Sequence, residues 1–160
     1  MLKHILVPLD GSKLAEEALD HALDLLCANG RITLLSAVDV PDVPVYGYYP
    51  PATAPDYQAT MEDLLPQAKQ YLQDIAVRLE RPDLTIGVEA QIGEPAHVIV
   101  EMAEKLAVDA IVMSTHGRSG ISRWLFGSVT GKVLSSQPCP VYVVPSKQKL
   151  SLIHISEPTR

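Results

Sequence analysis

Cysteine is scarce in this 160-residue chain and cationic residues are outnumbered, and each shortage excludes a class of function. Two cysteines, Cys27 and Cys139, form neither a disulfide framework nor a four-ligand zinc site. Lys and Arg number 13 against 19 Asp and Glu, which gives a formal net charge of −6. An acidic chain lacks the basic field that non-specific nucleic-acid binding requires, so nucleic acid is excluded as the main partner.

Long apolar runs and targeting patterns are also missing. No run approaches the roughly 18 apolar residues of a membrane span, and no basic segment with an apolar core opens the chain. The histidines do not have the spacing of a zinc-binding helix, so we expect no protein metal site. With 47% apolar residues the chain is able to bury one sizeable core, and we expect a soluble cytoplasmic protein with free thiols that contacts no membrane.

Five short apolar runs predict the strands of a sheet. Four are almost continuously apolar, as in parallel strands covered on both faces, whereas one alternates like an outer strand. The four are His4–Leu9, Arg31–Val38, Asp109–Met113 and Val141–Val144, and the alternating one is Leu84–Ala90.

Helical patterns separate these runs. The first begins after Ser12 as N-cap and stops at Gly30, which places Cys27 beside its apolar face. The others cover Met61–Leu79, a segment that opens at Pro95, and Ser128–Leu134; Pro66 predicts a late start or a kink in the second.

Strands that alternate with helices indicate a doubly wound α/β domain. We expect a Rossmann-like fold with a five-stranded parallel sheet, strand order 3-2-1-4-5, and helices on both faces.

The domain spans residues 1–149. The last residues, Leu150–Arg160, resemble a translated sequencing adapter and are expected to be a non-native tail. Pro41–Tyr57, with five prolines and four tyrosines, is either a surface loop or a lid over a ligand.

Two polar segments follow strands 1 and 4, which the predicted order makes neighbours. Both Pro8–Ser12 and Ser114–Thr130 then open at the carboxyl edge of the sheet, where such folds bind ligands. The second segment is rich in small residues and leads through Gly127 into a helix, so its amide groups suit an anion such as phosphate. A glycine-rich connection without a ligand is the alternative. The spacing from Gly127 to Lys132 does not match a Walker loop, and no GxGxxG follows a strand.

From Lys3 to Val144 the chain resembles universal stress proteins of the nucleotide-binding type. The most specific part of the resemblance is the pattern Gly-x2-Gly-x9-Gly-[Ser/Thr], which reads here as Ser114-Thr-His-Gly117, nine residues, and Gly127-Ser128. Serine replaces the first glycine and adds a small side chain where the backbone approaches the ligand.

The resemblance implies a regulatory module that binds ATP with Mg²⁺ and hydrolyses it slowly at most. It places Asp10 near the ribose or the phosphate-bound Mg²⁺, although a cap of the first helix is the alternative role of this residue. It assigns the recognition of adenine to the backbone of Ala37 and the phosphates to backbone groups around Gly127. The predicted binding residues are Pro8, Asp10, Ala37, Met113, Ser114, His116, Gly117, Arg118, Gly120, Gly127, Ser128, Val129 and Thr130.

The last strand, Val141–Val144, is an apolar edge strand in the predicted order, and such an edge invites pairing. The resemblance implies a homodimer through Val141, Tyr142, Val143 and Val144; an edge covered by its own chain is the alternative.

No catalytic constellation or nucleophile elbow is present. Two other functions stay open: a stress protein that acts only through protein contacts, and an adenylyl transferase, whose His-containing motif Pro8–Leu14 lacks.

Overall fold

A computed structural model describes residues 1–39, 57–115 and 126–145, except for the side chains of 57–62. In these residues five strands alternate with four helices, and the strands form one parallel sheet of order β3-β2-β1-β4-β5. The elements are β1 Leu2–Pro8, α1 Lys13–Leu25, β2 Leu26–Val38, α2 Tyr57–Leu79, β3 Leu84–Ile92, α3 Pro95–Lys105, β4 Ala110–Ser114, α4 Ser128–Ser136 and β5 Val141–Val144. The predicted fold class and strand order are confirmed.

Helices cover both faces of the sheet, which explains the continuous apolar runs. Ile5 of β1 lies in a core with α1 and α2, whereas its neighbour Leu6 lies in a second core with α3 and α4. Both side chains are fully buried, and burial of a side chain of this size stabilises a fold by about 1.5–3 kcal/mol. Because β1 lies between β2 and β4, the direction of winding reverses beside it, at the point where α/β folds form a crevice.

The first helix is shorter than predicted. It ends at Leu25, and β2 begins at once, so the prediction that Cys27 belongs to the helix is wrong; the residue lies half-buried in β2. Gly30 does not stop the helix. A Cβ atom at Gly30 would lie 2.5 Å from Cγ of Leu26, so glycine permits a close approach of the chain to itself. The pairing of β1 with β2 is irregular at this point, between Leu2 and His4.

The second helix is longer than predicted. It begins at Tyr57, four residues before Met61, and continues through Pro66, so the expectation of a late start is wrong. Leu72 and Ile75 attach it to the sheet, where both are buried.

Almost all of the proline-rich stretch 41–57, its last residue excepted, and the whole of 150–160 lie outside the described residues. None of the helices in the described ranges is long and apolar enough to span a membrane.

Candidate functional site

A cleft of about 620 Å³ opens at the carboxyl edge of the sheet, a volume in the usual range for small-molecule sites. The ends of β1, β2 and β4 form its floor, and α2 together with the first residues of α3 and α4 forms its walls. Every predicted binding residue that the structure describes lines this cleft: Pro8, Asp10, Ala37, Met113, Ser114, Gly127, Ser128, Val129 and Thr130. His116, Gly117, Arg118 and Gly120 lie outside the described residues.

The turn from β1 into α1 is ordered by Asp10. Its Oδ1 accepts hydrogen bonds from the backbone N–H of Ser12 (3.0 Å) and from the Ser12 hydroxyl (2.6 Å). Ser12 is the N-cap, as predicted, because its Oγ accepts a bond from the N–H of Ala15 (3.1 Å). Gly11 has φ +83°, a conformation that favours glycine. Asp10 therefore holds the capping residue and does not itself cap the helix.

The start of α4 is attached directly to the end of β4. Thr130 is 3% exposed, and its hydroxyl donates to the carbonyl oxygens of Ser114 (3.1 Å) and Thr115 (3.4 Å). The N–H of Gly127 donates to the same Thr115 carbonyl (2.8 Å). The Thr130 hydroxyl and the Gly127 amide thus form bonds within the protein, and their direct role is to position the helix.

The first turn of α4 supplies anion-binding groups at the cleft. The first N–H groups of any α-helix have no partner within the helix, and they carry its positive dipole end. Here they belong to Ser128, Val129 and the following residue, and the N-cap, Gly127, has no side chain that caps them. All of these residues line the cleft. This geometry is the one that binds phosphate at helix N-termini.

The end of β2 directs backbone groups towards the same cleft. The carbonyl of Leu35 accepts the N–H of Leu9, just after β1 (2.8 Å), so the backbone groups of Leu35 face β1. The carbonyl of Val38 accepts the N–H of Gly93, just after β3 (3.0 Å), so the backbone groups of Val38 face β3. Backbone groups alternate in direction along a strand. The N–H and C=O of Ala37 therefore point to the β1 side, beyond the place where β1 has ended, and offer a donor and an acceptor.

One wall of the cleft comes from α2 and was missed by the sequence analysis. Leu64, Gln67, Ala68 and Tyr71 line it. Leu64 and Ala68 lie one helical turn apart on an apolar face of α2, and Tyr71 continues the same spacing. Such spacing identifies residues that share a face, but it does not tell whether that face meets the core or a cleft.

A polar cluster fixes Tyr71 in this wall. Its hydroxyl donates to Oε1 of Glu16 (3.2 Å), and Arg78 donates to Oε2 of the same carboxylate (2.9 Å). Burial raises the pKa of Tyr71 well above its usual value, and the negative charge of Glu16, the bond to it and the charge of Asp10 act in the same direction. The hydroxyl therefore stays protonated and serves as a donor at all physiological pH values.

The charged side chains that line the described part of the cleft are Asp10 and Asp39, and no lysine or arginine lines it there. In residues 1–39, 57–115 and 126–145 no three His, Cys, Asp or Glu side chains come together as a metal site. A bound polyphosphate would therefore meet negative side chains in this part of the cleft.

Glu94 joins the two helices on the other face of the sheet. Its carboxylate accepts the N–H of His97 (2.9 Å) as the N-cap of α3, and it accepts Nζ of Lys132 in α4 (3.0 Å). The bonds from Lys132 and His97 lower the pKa of Glu94. The residue after it, Pro95, lines the cleft, so this pair links two of its walls.

Comparison with known proteins agrees with this architecture. The model of the universal stress protein family matches residues 1–145, and the chain belongs to that family. Universal stress protein MJ0531 of Methanocaldococcus jannaschii is 34% identical over 150 residues, which cover 93% of this chain and 85% of that protein. The solved structure of MJ0577, also from M. jannaschii, has 32% identity and a TM-score of 0.75, with 91% of this chain and 97% of that chain covered.

A more distant fold relative is described with a bound nucleotide. It is a universal stress protein family protein from Arabidopsis thaliana with AMP bound, at 14% identity and a TM-score of 0.59, with 91% of this chain and 93% of that chain covered. At this identity the similarity shows the common fold.

Proposed function

We propose that this protein is a regulatory module that binds ATP together with Mg²⁺ in the cleft at the sheet edge. The observation that carries the proposal is that the first turn of α4 and the backbone of Ala37 line the same cleft, one on each side of β1. The first suits phosphate, and the second suits the donor and acceptor edge of a base.

The spacing of the strands agrees with a nucleotide of this length. β2 and β4 are separated by β1, so their ends lie two strand spacings apart, or about 10 Å. An extended nucleoside polyphosphate spans such a distance between its base and its outer phosphates. We assign the base to Ala37, the ribose to the neighbourhood of Asp10 and the phosphates to Ser128 and Val129. The Arabidopsis fold relative with AMP bound supports only the general proposal that a fold of this kind accommodates an adenine nucleotide.

Magnesium fits the chemistry of the lining. Mg²⁺ in nucleotide sites is held by phosphate oxygens, water and one or two carboxylates. Asp10 provides such a carboxylate, and a cation would offset the repulsion between the phosphates and the side chains of Asp10 and Asp39. No general base for water stands out among the described lining residues, so we expect at most slow hydrolysis.

The proposal includes a cytoplasmic homodimer that pairs through β5. This strand is the outermost one next to β4, and Tyr142 on it is 42% exposed. An apolar edge strand is a template for a second copy. Sedimentation velocity is expected to show a species of twice 17.4 kDa; a single species of 17.4 kDa contradicts this part of the proposal.

Calorimetry with two variants of α4 tests the site. We expect the chain to bind ATP·Mg²⁺ with a Kd in the micromolar range and Gly127→Val to abolish binding, because the added side chain lies at the phosphate end. Gly131→Ala is the matched control: a Cβ there meets nothing within 4 Å, and alanine stabilises a helix by about 0.5–1 kcal/mol over glycine. No heat and no thermal shift at millimolar ATP·Mg²⁺ would refute the proposal.

A further inference from the structure

We propose that Tyr71 is a specificity-determining residue of the cleft, whose ring contacts the nucleobase of the bound nucleotide. The proposal rests on the proposed function and deepens it. It gives a role to the α2 wall, which lies outside the phosphate motif.

The apolar surface of the α2 wall is incompletely covered. Leu64 is a large apolar side chain that is 37% exposed, and Tyr71 lies two helical turns further along the same wall and is half-buried. Both line the cleft. Apolar and aromatic walls with a few polar groups are typical of small-molecule sites, and an aromatic ring stacks on the face of a base with a strength that depends on the base.

The position of α2 assigns this wall to the base end of the ligand. The helix packs on the face of the sheet above β2 and β3, at the opposite end of the cleft from α4. If the first turn of α4 holds the phosphates, the base lies between the end of β2 and α2. Ala37 then supplies hydrogen bonds to the edge of the base, and Tyr71 supplies a surface for its face.

The hydroxyl group of Tyr71 holds the ring in place before the ligand arrives. It bonds to Glu16 of α1, and Arg78 of α2 holds the same carboxylate from the other side. A side chain fixed in this way loses little conformational freedom on binding, which increases affinity. The polar cluster thus explains why a tyrosine suits this position better than a phenylalanine.

The experiment measures Kd for ATP·Mg²⁺ by calorimetry in the wild-type chain and in variants of this cluster. Tyr71→Ala is expected to raise Kd between about 5-fold and 150-fold, the range of a lost base–aromatic contact. Tyr71→Phe keeps the ring and is expected to raise Kd by less than about threefold. Tyr71→Leu preserves apolar bulk, so it reports on the ring even if the alanine variant fails to fold.

Two controls separate contact with the base from a structural role. Arg78→Gln disturbs the cluster without touching the cleft, and it is expected to leave Kd within about twofold. The ratio of Kd for UTP to Kd for ATP is expected to exceed one and to fall towards one in Tyr71→Ala and Tyr71→Leu, because a pyrimidine offers less stacking surface.

The outcomes distinguish this proposal from the proposed function. A wild-type chain that binds no adenine nucleotide refutes the proposed function and this inference together. Binding by the wild type with an unchanged Kd in Tyr71→Leu, or with a UTP to ATP ratio that does not change, refutes the role of Tyr71 alone. An equal loss of affinity in Arg78→Gln also overturns it, because Tyr71 would then act only through the packing of α1 and α2.

Discussion

Replacement of Thr130 by valine tests how the start of α4 is positioned. The change exchanges a hydroxyl for a methyl group of similar size at a site that is 3% exposed, so little packing is lost. It removes the donor to the Ser114 and Thr115 carbonyls. A buried acceptor that loses its partner costs about 1–3 kcal/mol, and the Gly127 amide still bonds the Thr115 carbonyl, so we expect the lower part of that range.

The loss should appear both in stability and in binding. For a domain of this size, about 1–2 kcal/mol lowers Tm by roughly 2–8 °C. The amides of Ser128 and Val129 move with the helix end, and a loss of about 1 kcal/mol in their contact with phosphate raises the Kd for ATP·Mg²⁺ roughly fivefold. Differential scanning fluorimetry and calorimetry measure the two effects, and Thr130→Ser, which keeps the hydroxyl, should restore most of both. A lower Tm with an unchanged Kd would show that this bond does not position the phosphate site.

Two further substitutions test charged groups. Asp10→Asn keeps an oxygen that accepts both bonds from Ser12 while it removes the charge, so it should weaken binding of ATP·Mg²⁺ and leave Tm nearly unchanged. Asp10→Ala removes these hydrogen bonds as well and should also lower stability by about 1 kcal/mol. Equal ATP·Mg²⁺ affinity in both variants and the wild type would exclude a role in Mg²⁺ binding. His4 bonds Thr33 through Nε2 (2.9 Å), and burial, with a smaller effect of Arg31, lowers its pKa below 6.5 although Asp109 opposes the shift. The unfolded chain then binds a proton at higher pH than the folded one, so this contribution to stability is present above pH 6.5 and is lost as the pH falls. In thermal melts between pH 7.5 and 5.5, Tm of the wild type should fall more than that of His4→Gln, and parallel curves would contradict this assignment.

The general fold could be predicted because its strands are buried on both faces. A nearly continuous apolar run such as His4–Leu9 is typical of a strand that helices cover on both faces, and parallel strands in one sheet are joined by right-handed crossovers. The end of α1 could not be predicted, because Gly30 serves a close contact with Leu26 where the register between β1 and β2 is irregular. A glycine at a helix end and a glycine at a close approach look alike in sequence.

The candidate site was also predictable only in part. The segments that hold Asp10 and Ser128 were expected at one sheet edge because the ends of neighbouring parallel strands meet there, whereas Ala37 was predicted from the family resemblance. The structure places all three residues in one cleft. The cleft wall around Tyr71 was missed, since helical periodicity shows which residues share a face and not what that face meets. Thr130 also lines the cleft, where its role in ligand binding stays a prediction, and the bond of its hydroxyl to the end of β4 was not foreseen.

The two bonds of Glu94 are separable, because each oxygen of its carboxylate serves a different partner. One carboxylate closes the first turn of α3 and neutralises Lys132. The side chains of Lys132 and Glu94 are 63% and 46% exposed, so their ion pair contributes at most about 1 kcal/mol. Replacement of Lys132 would therefore leave the N-cap of α3 intact, and this part of α4 could change without a compensating change beside Pro95.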